Sequence, residues 1–163
     1  MPTSLPIEEV YVNERVIKIT LKNVRDKPGI AADIFRILAN KGINVELIVG
    51  GPGSKGHADI AFLILESQLP KIEEVKEEIL REVNAKDMVV DKDVVLLSFY
   101  GRDLYKVPGI AYKVFNAFAT GGINIEMIAT SRDSLSCVIR QKFVDAAKEV
   151  VSEFLGIEIK KIY

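Results

Sequence analysis

Apolar residues recur at helical spacing over two stretches of the chain. Ala31, Ile34, Phe35, Leu38 and Ala39 fall at i, i+3, i+4, i+7 and i+8, and Ala111, Val114, Phe115, Phe118 and Ala119 repeat that pattern. This spacing puts five apolar side chains on one face of a helix. Each stretch opens on Pro-Gly, at Pro28-Gly29 and Pro108-Gly109, and closes on Gly42 or Gly122. Proline suits the first helical turn, and glycine the left-handed position just past the end. Ahead of each helix, VIKITL at 16–21 and VVLLSF at 94–99 read as strands. After each, INVELIV from Ile43 and INIEMIA from Ile123 predict a second strand, and 58–65 and 135–140 a third. A second amphipathic helix is expected over 70–83, with Ile72, Val75, Ile79 and Val83 inward and a charged, solvated outer face. Its counterpart is expected over 143–155. Fourth strands are expected near 87–90 and 157–162.

The two halves are also alike residue by residue. PGIAADIFRILANKGINVELI at 28–48 aligns without a gap on PGIAYKVFNAFATGGINIEMI at 108–128, with about half of the positions identical. The spacing of 80 positions exceeds the roughly 20–50 of solenoid repeats, so the pattern reads as a duplicated small domain. The element order βαββαβ, twice, predicts an α+β fold of two ferredoxin-like units in tandem. Each has an antiparallel sheet with helices on one face. The expected boundaries are 14–91 for the first unit and 92–163 for the second. Residues 1–13 are expected as an N-terminal extension with an extra strand at 8–13 (EEVYVN), for which the repeat offers no counterpart. Units this small bury a limited core, so packing between them is expected to help stabilise both.

Composition narrows the function classes. An apolar share of 48% with 28% charged residues fits a globular chain with a real core, not a disordered one. A net charge of −1 gives no general attraction to nucleic acid, and no partner of that kind is expected. The single cysteine, Cys137, and single histidine, His57, exclude a disulfide framework and a multi-histidine or multi-cysteine metal site within the chain. Cys137 lies in an apolar strand and reads as a small core residue. No nucleophile–base pair stands out, so a small enzyme is the weaker reading. No motif implies a cofactor. The N-terminus lacks a basic start followed by an apolar run, and no apolar segment nears the roughly 20 residues of a membrane span. A cytoplasmic protein without membrane attachment is therefore expected. The glycine-rich stretch at 50–56 (GGPGSKG) lacks the Gly-Lys-Ser/Thr of a phosphate loop and joins two strands, so it reads as a hairpin connection.

The remaining chemistry gathers at the Pro-Gly turns. Amides at a helix N-terminus are unpaired and favour an anion, and Gly29, Ile30 and Ala31 would supply them. Asp26, just before, could meet an ammonium. Each residue also has a plainer reading. Asp26 could cap the helix, Asn44 and Asn124 could satisfy a turn, and Glu46 and Glu126 could be exposed strand charges.

The combination Asp26-Lys27-Pro28-Gly29-Ile30-Ala31-Ala32, Gly42-Ile43-Asn44-Val45-Glu46 and Asn124-Ile125-Glu126-Met127-Ile128-Ala129-Thr130-Ser131 resembles the ACT domain. Two such copies resemble the C-terminal regulatory region, or small subunit, of aspartokinases, over about residues 8–155. The resemblance implies a non-catalytic allosteric sensor that binds an amino acid, threonine or lysine, and acts on a separate biosynthetic enzyme. It places the effector where the first helix of one unit meets the second strand of its neighbour. Carried over, the first site comprises Asp26, Gly29, Ile30, Ala31, Asn124 and Ile125. The pseudo-symmetric second site joins the loop at 105–111, with Gly109 and Ala111, to Asn44 and Val45. Three positions depart from the pattern: Gly50 stands where a glutamine is common, Lys106 where Asp26 has its acid, and Arg132 where an acid is usual. Two functions stay open. One is the sensor; the other is an ACT interaction module that has lost its ligand. The apolar segments 45–49 and 125–129 suit pairing with another copy, so a homodimer is expected.

Overall fold

The computed structural model describes residues 5–51 and 54–162. The elements in chain order are β1 (Glu9–Asn13), β2 (Val16–Arg25), α1 (Ile30–Asn40), β3 (Leu47–Val49), β4 (His57–Leu65), α2 (Leu69–Glu82) and β5 (Asp87–Asp91). They continue with β6 (Val94–Tyr100), α3 (Ile110–Thr120), β7 (Met127–Thr130), β8 (Ser134–Arg140), α4 (Val144–Leu155) and β9 (Lys160–Ile162). These form two compact units. The first is Arg15–Lys92; the second combines the segment ending at Glu14 with the chain from Asp93 onward.

In the first unit the strands lie in the order β3-β4-β2-β5, all antiparallel. Strand alternation turns Ile17, Ile19 and Leu21 of β2 and Phe62 and Ile64 of β4 into one core. Helix α1 meets them with Ile30, Ile34, Ile37 and Leu38, and α2 with Ile72, Val75 and Ile79. The buried stripe of α1 is rotated from the sequence expectation. Its large aliphatic residues face the sheet, while Ala31 and Ala39 are exposed and Phe35 lies at the margin. The same rotation holds in α3, where Ile110, Val114 and Phe118 are buried and Ala119 is exposed. Side-chain area decides this, because turning alanine inward buries far less apolar surface than turning isoleucine inward.

Both first helices end alike. Gly42 (φ 74°) and Gly122 (φ 74°) are left-handed. The Ile43 N–H donates to the Leu38 carbonyl at 2.9 Å and the Gly42 N–H to Ala39 at 3.0 Å; Ile123 to Phe118 and Gly122 to Ala119 repeat these distances. This is the Schellman pattern, which satisfies the last carbonyls and buries the isoleucine beyond the glycine. The second strands consequently start later than expected. After Ile43 and Ile123 the chain is irregular and joins its ladder only at Leu47 and Met127.

The second unit has five strands in the order β7-β8-β6-β1-β9. Strand β1 runs antiparallel to β6, from Glu9 opposite Tyr100 to Asn13 opposite Leu96. It holds the place beside β6 that β5 holds beside β2. Val10 and Val12 explain why, since both point into the core with no exposed surface. The fourth strand of the repeat, β9, is displaced outward and pairs in parallel with β1. This is the one departure from antiparallel pairing among the described strands. Strand β9 is exposed throughout, and Lys160 reaches Glu9 at 3.2 Å. The Tyr11 hydroxyl donates to Glu9 at 2.8 Å and, with Lys160, holds that carboxyl below its ordinary range. Among the described residues no helix is long and apolar enough to cross a membrane.

Candidate functional site

The loop from β2 to α1 is shaped by one left-handed residue and one long hairpin. Strand β2 bulges between Leu21 and Val24, and Asn23 adopts φ 56°. The Asn23 N–H donates to Asp59 Oδ1 at 2.8 Å, and this bond is the main reason the Asp59 carboxyl sits below its usual range. The hairpin between β3 and β4 turns at Lys55 and Gly56, both left-handed, as a two-residue turn with matching strand twist requires. The Asp26 N–H donates to the Gly56 carbonyl at 2.8 Å, which fastens the hairpin to the loop. Next, Gly29 (φ 92°) stands at the head of α1, and no side chain caps the helix. Asp26 therefore does not act as a side-chain cap. The Ile30 N–H reaches the Lys27 carbonyl at 3.3 Å, and the amides of Ala31 and Ala32 have no intrahelical acceptor.

These residues border a cavity of about 340 Å³. Arg25, Asp26, Lys27, Gly29, Ile30 and Ala31 line it around the head of α1; Phe35 further along α1 and Ile48, Ala58 and Ile60 of β3 and β4 add an apolar lining. The size lies in the range of small-molecule pockets, about 300–1,000 Å³. The arrangement offers a positive helix end, one carboxylate and an apolar wall.

The second unit builds the same loop from different residues. Asp103 (φ 60°) takes the place of Asn23, and its N–H donates to Asp133 Oδ1 at 3.0 Å. Gly109 (φ 86°) heads α3, again without a side-chain cap. The cavity is smaller, about 230 Å³, with Gly109, Ile110 and Ala111 facing Thr130, Ser131 and Ser134. Tyr105 stands at its edge, and Arg132 lies on that ring, 4.2 Å from its centroid. The Arg132 Nη2 also donates to the Tyr105 hydroxyl at 2.6 Å. Lys106, in the position of Asp26, pairs with Asp103 at 3.2 Å. The hairpin here is only residues 131–133 long.

The structure thus brings together Asp26, Gly29, Ile30 and Ala31 in one unit, and Gly109 and Ala111 in the other. Asn44, Val45, Asn124 and Ile125 line neither cavity. Asn44 and Asn124 are exposed just past the Schellman turns, whereas Val45 and Ile125 pack against the core of their own units. Glu46 is exposed as expected, but Glu126 is not. Arg140 grips it with Nε 2.6 Å from Oε2 and Nη2 donating to Oε1 at 2.7 Å. The position matching Arg140 in the first unit is Leu65, so this ion pair has no counterpart there. Cys137 is buried, and burial alone pushes its thiol up to about 12, which removes it as a nucleophile. Sequence reading missed the wall residues Ile48, Ala58 and Ile60. Their alternation in two strands was a usable signal once β3 was known to pair with β4. The Tyr105–Arg132 stack, 27 positions apart, carried no signal.

Profiles of the ACT domain match residues 19–84 and again 97–155. The chain belongs to the ACT-domain family. Its two ACT units superpose with a TM-score of 0.84 on the ligand-free regulatory subunit of aspartate kinase from Thermus thermophilus, at 31% identity over 91% of this chain and 97% of that one. A structure of aspartokinase alpha and beta subunits also gives 0.84, at 26% identity over 93% and 99% of the two chains. The aspartokinase of Thermus thermophilus is 34% identical over 143 residues, 86% of this chain and 35% of that protein. The Helicobacter pylori aspartokinase is 30% identical over 141 residues, 86% and 34%. The tandem ACT chain therefore spans about a third of the length of the curated aspartokinases it matches. What the likeness supports is a regulatory ACT pair of the aspartokinase kind.

Proposed function

We propose that this chain is a non-catalytic amino-acid sensor that regulates a biosynthetic enzyme of the aspartokinase kind. The observation that carries the proposal is the uncapped start of α1 beside Asp26 and an apolar cavity. A zwitterion needs an anion site, a cation site and room for a side chain. The free amides of α1 serve the carboxylate, Asp26 serves the ammonium, and the cavity takes the rest. Two or three such contacts correspond to about 4–8 kcal/mol, which is millimolar to micromolar affinity. The effector then shifts the partner enzyme by a coupling of about 1–3 kcal/mol. The sensor is expected to work as a homodimer. Ile48 on β3 and Ile128 on β7 are each about half exposed, at 48% and 47%, on strands at the ends of their sheets, and light scattering should give twice the chain mass.

A thermal-shift panel of the twenty amino acids tests the proposal, because a ligand bound to the folded state raises the melting temperature. At least one should do so at millimolar concentration; if none does, the sensing reading is wrong. The second reading is an interaction module without a ligand. Its support is the second cavity, where Lys106 stands in the position of Asp26 and the lining Tyr105 is stacked with Arg132. A dimer unaffected by any amino acid, both natively and as Asp26→Ala, would favour it.

A further inference from the structure

We propose that the cavity of the first unit selects an amino acid with an aliphatic side chain, of the valine, isoleucine and leucine class, over a hydroxylated or charged one. This rests on the sensing reading above. The groups around the cavity are segregated by chemistry. Among the described residues, the charged side chains that border it, Arg25, Asp26 and Lys27, are consecutive, at the end of β2 and the start of the loop into α1. Much of the remaining lining is Val24 of β2, Phe35 of α1, Ile48 of β3 and Ala58 and Ile60 of β4, none of which carries a hydrogen-bonding side-chain atom. Gly50 and Gly51 border it with backbone only.

A zwitterion whose head group meets the loop must lay its side chain on that apolar lining. An aliphatic side chain gains there from leaving water. A threonine hydroxyl gives up water and finds no side-chain partner, which is unfavourable. A lysine ammonium loses more, since its charge would leave water against a lining that offers it no side-chain partner. The cavity volume of about 340 Å³ exceeds that of a leucine molecule. The resemblance to aspartokinase regulatory regions implies threonine or lysine, whereas the wall of this cavity does not suit either. An apolar wall discriminates an isostere bearing a hydroxyl by about 100-fold at most. The contrast lies within the same chain, because Thr130, Ser131 and Ser134 bring three hydroxyls to the second cavity.

Calorimetric titration of the full chain with valine and threonine, which have nearly the same shape, is the test, with leucine and lysine as further probes. Valine and leucine should bind about 10–100-fold more tightly than threonine, and lysine more weakly still. Ile60→Thr, which brings a hydroxyl to the wall, should reduce the valine-to-threonine ratio several-fold. Ile48→Ser, at an exposed edge position with little risk to folding, should weaken valine. Threonine or lysine binding as tightly as valine would overturn the selection and leave sensing intact. Valine binding that neither variant alters would also overturn it, by placing the ligand elsewhere. If no amino acid binds, the sensing reading itself fails.

Discussion

In the first ACT unit, the turn at Lys55 and Gly56 is fastened through Gly56 to Asp26, and a cavity of about 340 Å³ lies beside the head of α1. In the second, residues 131–133 make a short hairpin, and Arg132 lies across Tyr105 at the edge of a smaller, hydroxyl-lined cavity. The backbone under both is the same. Asn23 and Asp103 are left-handed, each with its N–H donating to an aspartate of the neighbouring hairpin, and Gly29 and Gly109 head uncapped helices. Duplication thus preserved the geometry that exposes helix amides and let the side chains around it diverge. An acid, a hairpin and an apolar lining border one cavity. A basic residue and a stacked Tyr–Arg pair make the other a different surface.

The units also differ in what completes their sheets, and disturbing that difference should have the largest effect. Val10→Ala combined with Val12→Ala removes buried methyl groups from β1, at a cost of about 3–5 kcal/mol. Hydrogen exchange should show protection lost in β6 and β8 before β2 and β4; equal loss in both sheets would contradict the assignment of β1 to the second unit alone. Next in size is the ion pair found in one unit only. Glu126→Ala removes the two-point partner of Arg140, while its contacts with Asp93 remain, and should cost about 1.5–3 kcal/mol by urea denaturation. Glu46→Ala, at the matching exposed position, should stay within about 0.5 kcal/mol.

Ligand effects sharpen the comparison further. Asp26→Ala should weaken the bound amino acid about tenfold or more by calorimetry, as expected for one charge-assisted hydrogen bond. Lys106→Ala, at the equivalent place, should leave that affinity unchanged. The smallest effect belongs to Arg132→Ala. It removes an exposed cation–π contact of about 0.5–1 kcal/mol and should lower the melting temperature only slightly.

Much of this was legible in the sequence because it rests on local rules. The helix ends at Gly42 and Gly122 and the βαββαβ order follow from residue type and spacing. The strand character of residues 8–13 was also visible, but not its place in the second sheet. That depends on Val10 and Val12 finding the core around Phe99 and Cys137, contacts more than 80 positions away. The buried faces of α1 and α3 were read with the right period and the wrong phase, since alanines were counted equally with isoleucines. Of the site, the loop residues Asp26–Ala31 carry a motif. The wall of Ile48, Ala58 and Ile60 arises only when β3 pairs with β4, and Glu126 with Arg140 only when β7 pairs with β8.

Amide chemical shifts on titration with valine distinguish a ligand at the head of α1 from one at the head of α3. The amides of Gly29, Ile30, Ala31 and Ala32 should move most, in proportion to saturation. Those of Gly109, Ile110, Ala111 and Tyr112 should stay nearly still. Shifts confined to the α3 group, or equal in both, would contradict binding at the head of α1.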